Sequence, residues 1–106
     1  VIRILLADDH PVVRDGLVAI LSTQPDFDVV AEAATGREAV SLAAELQPDV
    51  LLLDLEMPDM DGVAALRQLR DSGVAVRAIV FTAFDTDERI LEAVRAGAQG
   101  FLLKGA

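Results

Sequence analysis

Five side chains in this sequence could carry a chemical step together: Asp8, Asp9, Asp54, Thr82 and Lys104. Each ends or follows an apolar run. IRILLA precedes the Asp8-Asp9 pair, VLLL precedes Asp54, AIVF precedes Thr82 and GFLL precedes Lys104. If those runs are neighbouring parallel strands, they lie roughly 4.8 Å apart. Residues at their carboxyl ends then converge where open α/β sheets bind ligands. Three carboxylates so close cannot all stay ionised cheaply, because like charges raise one another's pKa. A divalent cation with oxygen ligands is the natural compensation, and a small octahedral ion such as Mg²⁺ takes one or two carboxylates and keeps several waters. Phosphoryl transfer to a carboxylate uses every member of the set. Asp54 is the nucleophile that becomes an aspartyl phosphate, while the cation, the Lys104 ammonium and the Thr82 hydroxyl stabilise the phosphoryl oxygens. Singly, an acidic pair, a threonine or a lysine is more often solvated surface; their joint position carries the signal.

The elements that must hold these residues follow from periodicity. VLLL at residues 50–53 is apolar without alternation, as in a strand covered on both faces. Residues 2–7 read as a second buried strand, and His10-Pro11 opens a helix, proline being pre-organised for the first helical position. Val13, Leu17, Ile20 and Leu21 give that helix its apolar stripe, and Pro25 is expected to finish it. FDVVAEA at 27–33 alternates as an edge strand does. Thr35 and Glu38 have capping-box spacing, ahead of a helix with its stripe on Ala39, Leu42, Ala43 and Leu46. A third helix follows Asp61-Gly62 through Val63, Leu66 and Leu69 to Ser72-Gly73. After AIVFT at 78–82, Asp85 and Glu88 offer another capping box, with Ile90, Leu91 and Val94 marking a fourth helix that Gly97 ends. GFLL at 100–103 is the last strand. The order βαβαβαβαβ implies right-handed crossovers and a doubly wound parallel sheet.

The 106 residues make one domain's worth of chain, and a mean hydropathy of +0.43 fits a packed core. No apolar stretch approaches bilayer-spanning length. With no cysteine, disulfide and thiolate chemistry are excluded and a cytoplasmic setting fits. Eighteen acidic residues against nine basic ones give a formal charge of -9, which argues against direct nucleic-acid binding and for cations or basic partner surfaces. The chain starts at Val1 rather than Met, with no signal peptide in view.

LLADDH, LLLDLEMPDMDG, AIVFTA and GAQGFLLKG stand in the order in which the receiver domains of bacterial two-component response regulators carry their acidic pair, phosphoacceptor, switch hydroxyl and lysine. The chain resembles that family over essentially its whole length, residues 1–106. ADDHPVVRDGL and GAQGFLLKGA are most similar to the NarL/LuxR-type subfamily. The resemblance implies a flavodoxin-like, five-stranded parallel sheet of order 2-1-3-4-5, and Mg²⁺ (or Mn²⁺) as cofactor. It implies Asp9 and Asp54 as metal ligands by side chain, Glu56 through its backbone carbonyl, and Asp8 in the second layer or through water. The implied partner is a sensor histidine kinase whose phosphohistidine is the donor. The output would be a C-terminal DNA-binding domain outside this chain, with a homodimer possible and Arg14 an exposed candidate for its contact. In the implied switch, phosphorylated Asp54 draws the Thr82 hydroxyl inward and the ring of Phe101 follows, with small Ala83 leaving room for the phosphoryl group.

The chain departs from the family at its end. Receivers continue through a fifth helix, and without it apolar surface on the first and last strands is expected to face water. Two rival readings are an Mg²⁺-dependent phosphatase that also forms an aspartyl phosphate, and a pseudo-receiver that never sees phosphate. The phosphatase usually needs a second Asp two residues after the nucleophile, where this chain has Glu56. His10, the only histidine, is read as a partly exposed residue at a helix start rather than a metal ligand. Met57 and Met60 are read as loop packing or partner surface.

Overall fold

The computed structural model describes residues 1–82 and 87–103. Its elements run β1 (Ile2–Ala7), α1 (Pro11–Leu21), β2 (Phe27–Ala33), α2 (Gly36–Leu46), β3 (Val50–Leu53), α3 (Gly62–Asp71), β4 (Arg77–Thr82), α4 (Asp87–Arg95) and β5 (Gly100–Leu103). All five strands pair in parallel in the order β2-β1-β3-β4-β5. The step from β1 to β2 runs one way along the sheet and every later step runs the other way. Right-handed crossovers therefore put α1 on one face and α2, α3 and α4 on the opposite one.

The three-helix face holds the core. Leu5, Ala7, Leu51, Leu53, Ala78 and Val80 point into it, met by Ala39 and Ala43 of α2 and by Val63, Leu66 and Leu69 of α3. Small alanines on α2 let it sit close to the sheet. Ile4 and Leu6 are equally buried but outside that cluster, as the alternation of a strand requires. Where β1 meets β2 the register slips between Ile4 and Leu5, so that Val30 is an extra residue on the edge strand.

Helix boundaries have local causes. The Thr35 side chain accepts from the Glu38 amide at 3.1 Å, and Glu38 Oε1 accepts from the Ala34 amide, so the expected capping box forms with its return bond one residue early. Asp61 caps α3 through the Ala64 amide at 2.9 Å. Gln47 closes α2 in the left-handed region at φ 47°, a place where glycine is usual.

Several sequence expectations need correction. The first helix ends at Leu21, with Ser22 as its C-cap, before the expected stop at Pro25, because residues 22–26 form a turn into β2. No residue of α1 is buried, and Ile20 of its supposed stripe is exposed. On α4, Leu91 and Val94 are about half exposed; Ala93 is the residue that packs inward, joined by Ala96 beyond the helix. On β5 Leu102 is 53% exposed, whereas the apolar residues of β1 are exposed only at Ile2, with Ile4, Leu5, Leu6 and Ala7 buried. Asp85, the expected cap of α4, lies outside the described residues, as do Ala83 and Lys104.

Candidate functional site

Asp54 follows directly on β3, whose Leu51 and Leu53 are fully buried, and is itself 2% exposed. Its amide donates to the Ala7 carbonyl at 2.8 Å, carrying the β1–β3 pairing one residue past the strand. Asp54 Oδ1 accepts from the Glu56 amide at 3.2 Å, so the loop behind it turns around its carboxylate. Asp8 leaves β1 in the same layer, 2% exposed, its amide bonded to the Ala33 carbonyl. Thr82, the last residue of β4, is fully buried on the face that holds Val80 and Ala78. These are the only buried polar side chains among the described residues, and all stand at the carboxyl end of the sheet. Packing alone does not favour such groups there, because burying polar atoms costs free energy unless they find partners.

The acidic pair and Asp54 converge as the strand order predicts. One donor atom each from Asp8, Asp9, His10 and Asp54 lies within 4.8 Å of every other. Asp9 Oδ1 is sealed from solvent and accepts no hydrogen bond. An orphaned carboxylate oxygen beside two more carboxylates is the electrostatic situation that a cation relieves, so these residues fit a divalent metal.

The sequence reading missed what His10 does. Its ring is exposed at 62%, as expected, yet Nδ1 points inward to Asp8 Oδ1 at 3.0 Å and Asp9 Oδ1 at 3.1 Å. The His10 amide also donates to Asp8 Oδ1 at 2.8 Å, a local turn that sets the ring over the acids before Pro11 starts α1. Adjacency in Asp-Asp-His was the available signal. Arg14 corrects another expectation: it is not an exposed residue but largely buried, donating to the Asp8 carbonyl at 2.6 Å and lying 3.4 Å from Glu32, so it braces the acidic turn.

The acidic loop is held by close backbone approaches. A Cβ on Gly62 would stand 2.6 Å from the Asp54 carbonyl oxygen and 2.8 Å from Leu55 Cα; one on Gly36 would stand 1.8 Å from the Met60 carbonyl oxygen. The Gly62 amide donates to the Leu55 carbonyl at 3.0 Å, and Asp59 takes φ 68°. Met57 is buried in the core, so it is loop packing. From α4, Arg89 Nη2 reaches Glu56 Oε1 at 3.4 Å. Phe101, two strands away from Asp54, has its ring 47% exposed and is not core.

The model of the family described as the response regulator receiver domain matches residues 4–106. The transcriptional regulatory protein LiaR of Bacillus subtilis is 48% identical over 103 residues, covering 97% of this chain and 49% of LiaR. The chain thus spans about half the length of the curated relatives it matches. Among solved structures, the signal receiver domain of a NarL response regulator from Mycobacterium tuberculosis superposes with a TM-score of 0.95 at 38% identity, covering 99% of this chain and 85% of that one. A CheX–CheY complex with BeF3 and Mg²⁺ from Borrelia burgdorferi gives 0.91 at 26% identity, covering 99% of this chain and 79% of that chain.

Proposed function

This chain belongs to the response regulator receiver domain family, with NarL- and LiaR-type relatives, and on that premise we propose that Asp54 accepts a phosphoryl group from the phosphohistidine of a sensor kinase. The carrying observation is the placement of Asp54, buried at the end of β3, within reach of Asp8 and Asp9 from β1.

The chain's own groups account for the step. The β3 register and the Ala7 carbonyl fix the Asp54 backbone, and the Glu56 amide holds Oδ1, so the attacking carboxylate is oriented before the donor arrives. Asp8 and Asp9 with Asp54 would hold a divalent cation, Mg²⁺ or Mn²⁺, with the Glu56 carbonyl as a further ligand. That ion, when bound, neutralises the charge of the transferring group and of the carboxylates around it. Thr82 offers its hydroxyl from the next strand, and Lys104, the residue that follows β5 in sequence, is assigned the pairing with a phosphoryl oxygen. Phosphorylation adds charge and acceptor oxygens at a buried point, and the proposed response is inward movement of the Thr82 hydroxyl followed by Phe101. The half-exposed ring of Phe101 supports that assignment, since a ring already in the core has nowhere to go.

The whole protein's output lies beyond this chain. We assign it transcriptional control through a C-terminal DNA-binding domain, on the strength of relatives such as the transcriptional regulatory protein LiaR, about twice as long; a cytoplasmic setting and a homodimer are carried over from the family resemblance alone. The receiver itself, at net charge -9, is not the part that contacts DNA.

Incubation with Mg²⁺ and a small acyl phosphate, followed by intact mass measurement, tests the reading. A gain of one phosphoryl group, absent in Asp54→Asn, is expected. Repeated turnover of phosphate monoesters would instead identify a phosphatase, and inertness toward every donor and kinase a pseudo-receiver.

A further inference from the structure

We propose that the His10 imidazole is a metal ligand, which makes the acidic pocket a mixed nitrogen and oxygen site that prefers a first-row transition ion such as Co²⁺ or Zn²⁺ over Mg²⁺. The inference rests on the reading of the acid cluster as a cation site and specifies its donor set.

Geometry supplies the first argument. Ligands adjacent on an octahedral ion, each about 2.1 Å from it, are about 3.0 Å apart, and opposed ones about 4.2 Å. His10 Nδ1 stands 3.0 Å from Asp8 Oδ1 and 3.1 Å from Asp9 Oδ1, the separations of one edge after another of such an octahedron. With Asp54 added, the four donors fall within 4.8 Å of one another, wider than the roughly 4.2 Å of opposed ligands, so the carboxylates would draw inward around a bound ion.

Hydrogen bonding explains only half of this arrangement. The contact from Nδ1 to Asp8 Oδ1 is a hydrogen bond. Asp9 Oδ1, almost as close to the same nitrogen, is buried and accepts none. A charged ring would pair with both carboxylates, and an ion seated between them would serve both with the ring neutral. Nor does packing or capping turn the ring inward: it is 62% exposed, and His10, the N-cap of α1, makes no side-chain cap bond. The His10 amide bond to Asp8 and Pro11 behind it hold the ring in place before any ion arrives.

Selectivity follows from ligand chemistry. Magnesium is a hard ion that gains little by exchanging a water for imidazole, while imidazole suits the later first-row ions, whose affinity for nitrogen and oxygen sites rises along the row. The phosphoryl reading needs a cation and two carboxylates; the ring decides which cation.

The test is calorimetric titration of Co²⁺ and of Mg²⁺ into the chain, any histidine tag removed, for wild type and His10→Gln, with proton NMR of the Co²⁺-loaded forms. Because His10 is the only histidine of this chain, a contact-shifted ring N–H has one assignment. The variant is expected to lose about tenfold or more in Co²⁺ affinity and less than about twofold in Mg²⁺ affinity. The shifted ring proton is expected in wild type and absent from the variant. Circular dichroism checks that the exposed substitution leaves the fold intact. Equal Co²⁺ affinity in both proteins without a shifted ring proton would overturn the His10 assignment and leave the cation site standing. Failure of both ions to bind wild type would remove the cation site itself and this inference with it.

Discussion

Arg89 Nη2 lies 3.4 Å from Glu56 Oε1, which ties α4 to the loop that turns around the Asp54 carboxylate. The same guanidinium is 3.9 Å from Asp61 Oδ2, the cap of α3, so one side chain spans both ends of that loop. Its cost is visible too, since Arg89 Nε is buried without a hydrogen-bond partner among the described residues. Glu56 is about half exposed and Arg89 partly so, and solvent-screened pairs of this kind contribute roughly 0.2–1 kcal/mol. Arg89→Ala is therefore expected to change unfolding free energy by no more than about 1 kcal/mol, while amide exchange in residues 55–61 accelerates. Urea denaturation and hydrogen exchange check this. A loss of several kcal/mol with loop exchange unchanged would mean that Arg89 supports the core rather than the loop.

Three glycines make a graded comparison. Gly62→Ala and Gly36→Ala place a methyl against backbone that cannot move without displacing the acidic loop, and each is expected to cost about 1–3 kcal/mol. Gly16→Ala meets nothing within 4 Å in the middle of α1 and is expected to stabilise by roughly 0.5–1 kcal/mol. Chemical denaturation gives all three. Equal effects at the three positions would contradict the close approach at residues 36 and 62.

Asp8, Asp9 and Asp54 repel one another in the folded chain more than in the unfolded one. Asp54→Asn should therefore raise the melting temperature in the absence of metal. Millimolar Mg²⁺ should raise that of the wild type, because it binds the folded cluster and not the unfolded chain, and should raise that of Asp54→Asn by less. Scanning fluorimetry across an Mg²⁺ series measures both. A wild type indifferent to Mg²⁺ would count against the cation site.

Thr82 and Phe101 are proposed to move together. Thr82→Val keeps the shape of a fully buried side chain and removes only its hydroxyl. With fluorine-labelled phenylalanine, phosphorylation is expected to shift the Phe101 resonance toward a buried environment in wild type and to leave it in place in Thr82→Val. The same shift in both proteins would separate Phe101 from the hydroxyl.

The fold was readable because apolar runs and helical stripes report burial directly. VLLL became β3 in the centre of the sheet, and the alternating segment 27–33 became its edge. Convergence of Asp8, Asp9 and Asp54 was equally legible, since strand order alone brings their positions together. Less legible were the features set by tertiary contact. Arg14 looks like any exposed helix cation until the Asp8 carbonyl and Glu32 are found beside it. Leu91 and Val94 carry the hydrophobic signal of α4, yet small Ala93 takes the buried side. A lone histidine in sequence says nothing of ring direction, which follows from the turn bond of its amide to Asp8 together with the contacts of Nδ1 to Asp8 and Asp9.

The central claim is that phosphate arrives on Asp54 and nowhere else. Borohydride reduction of the acyl-phosphate-treated chain converts an aspartyl phosphate to homoserine, which peptide mass spectrometry places by residue. Homoserine at position 54 alone, dependent on Mg²⁺, is the predicted result. Conversion at Asp8 or Asp9 instead, or phosphate retained on His10 with Asp54 untouched, would contradict the account.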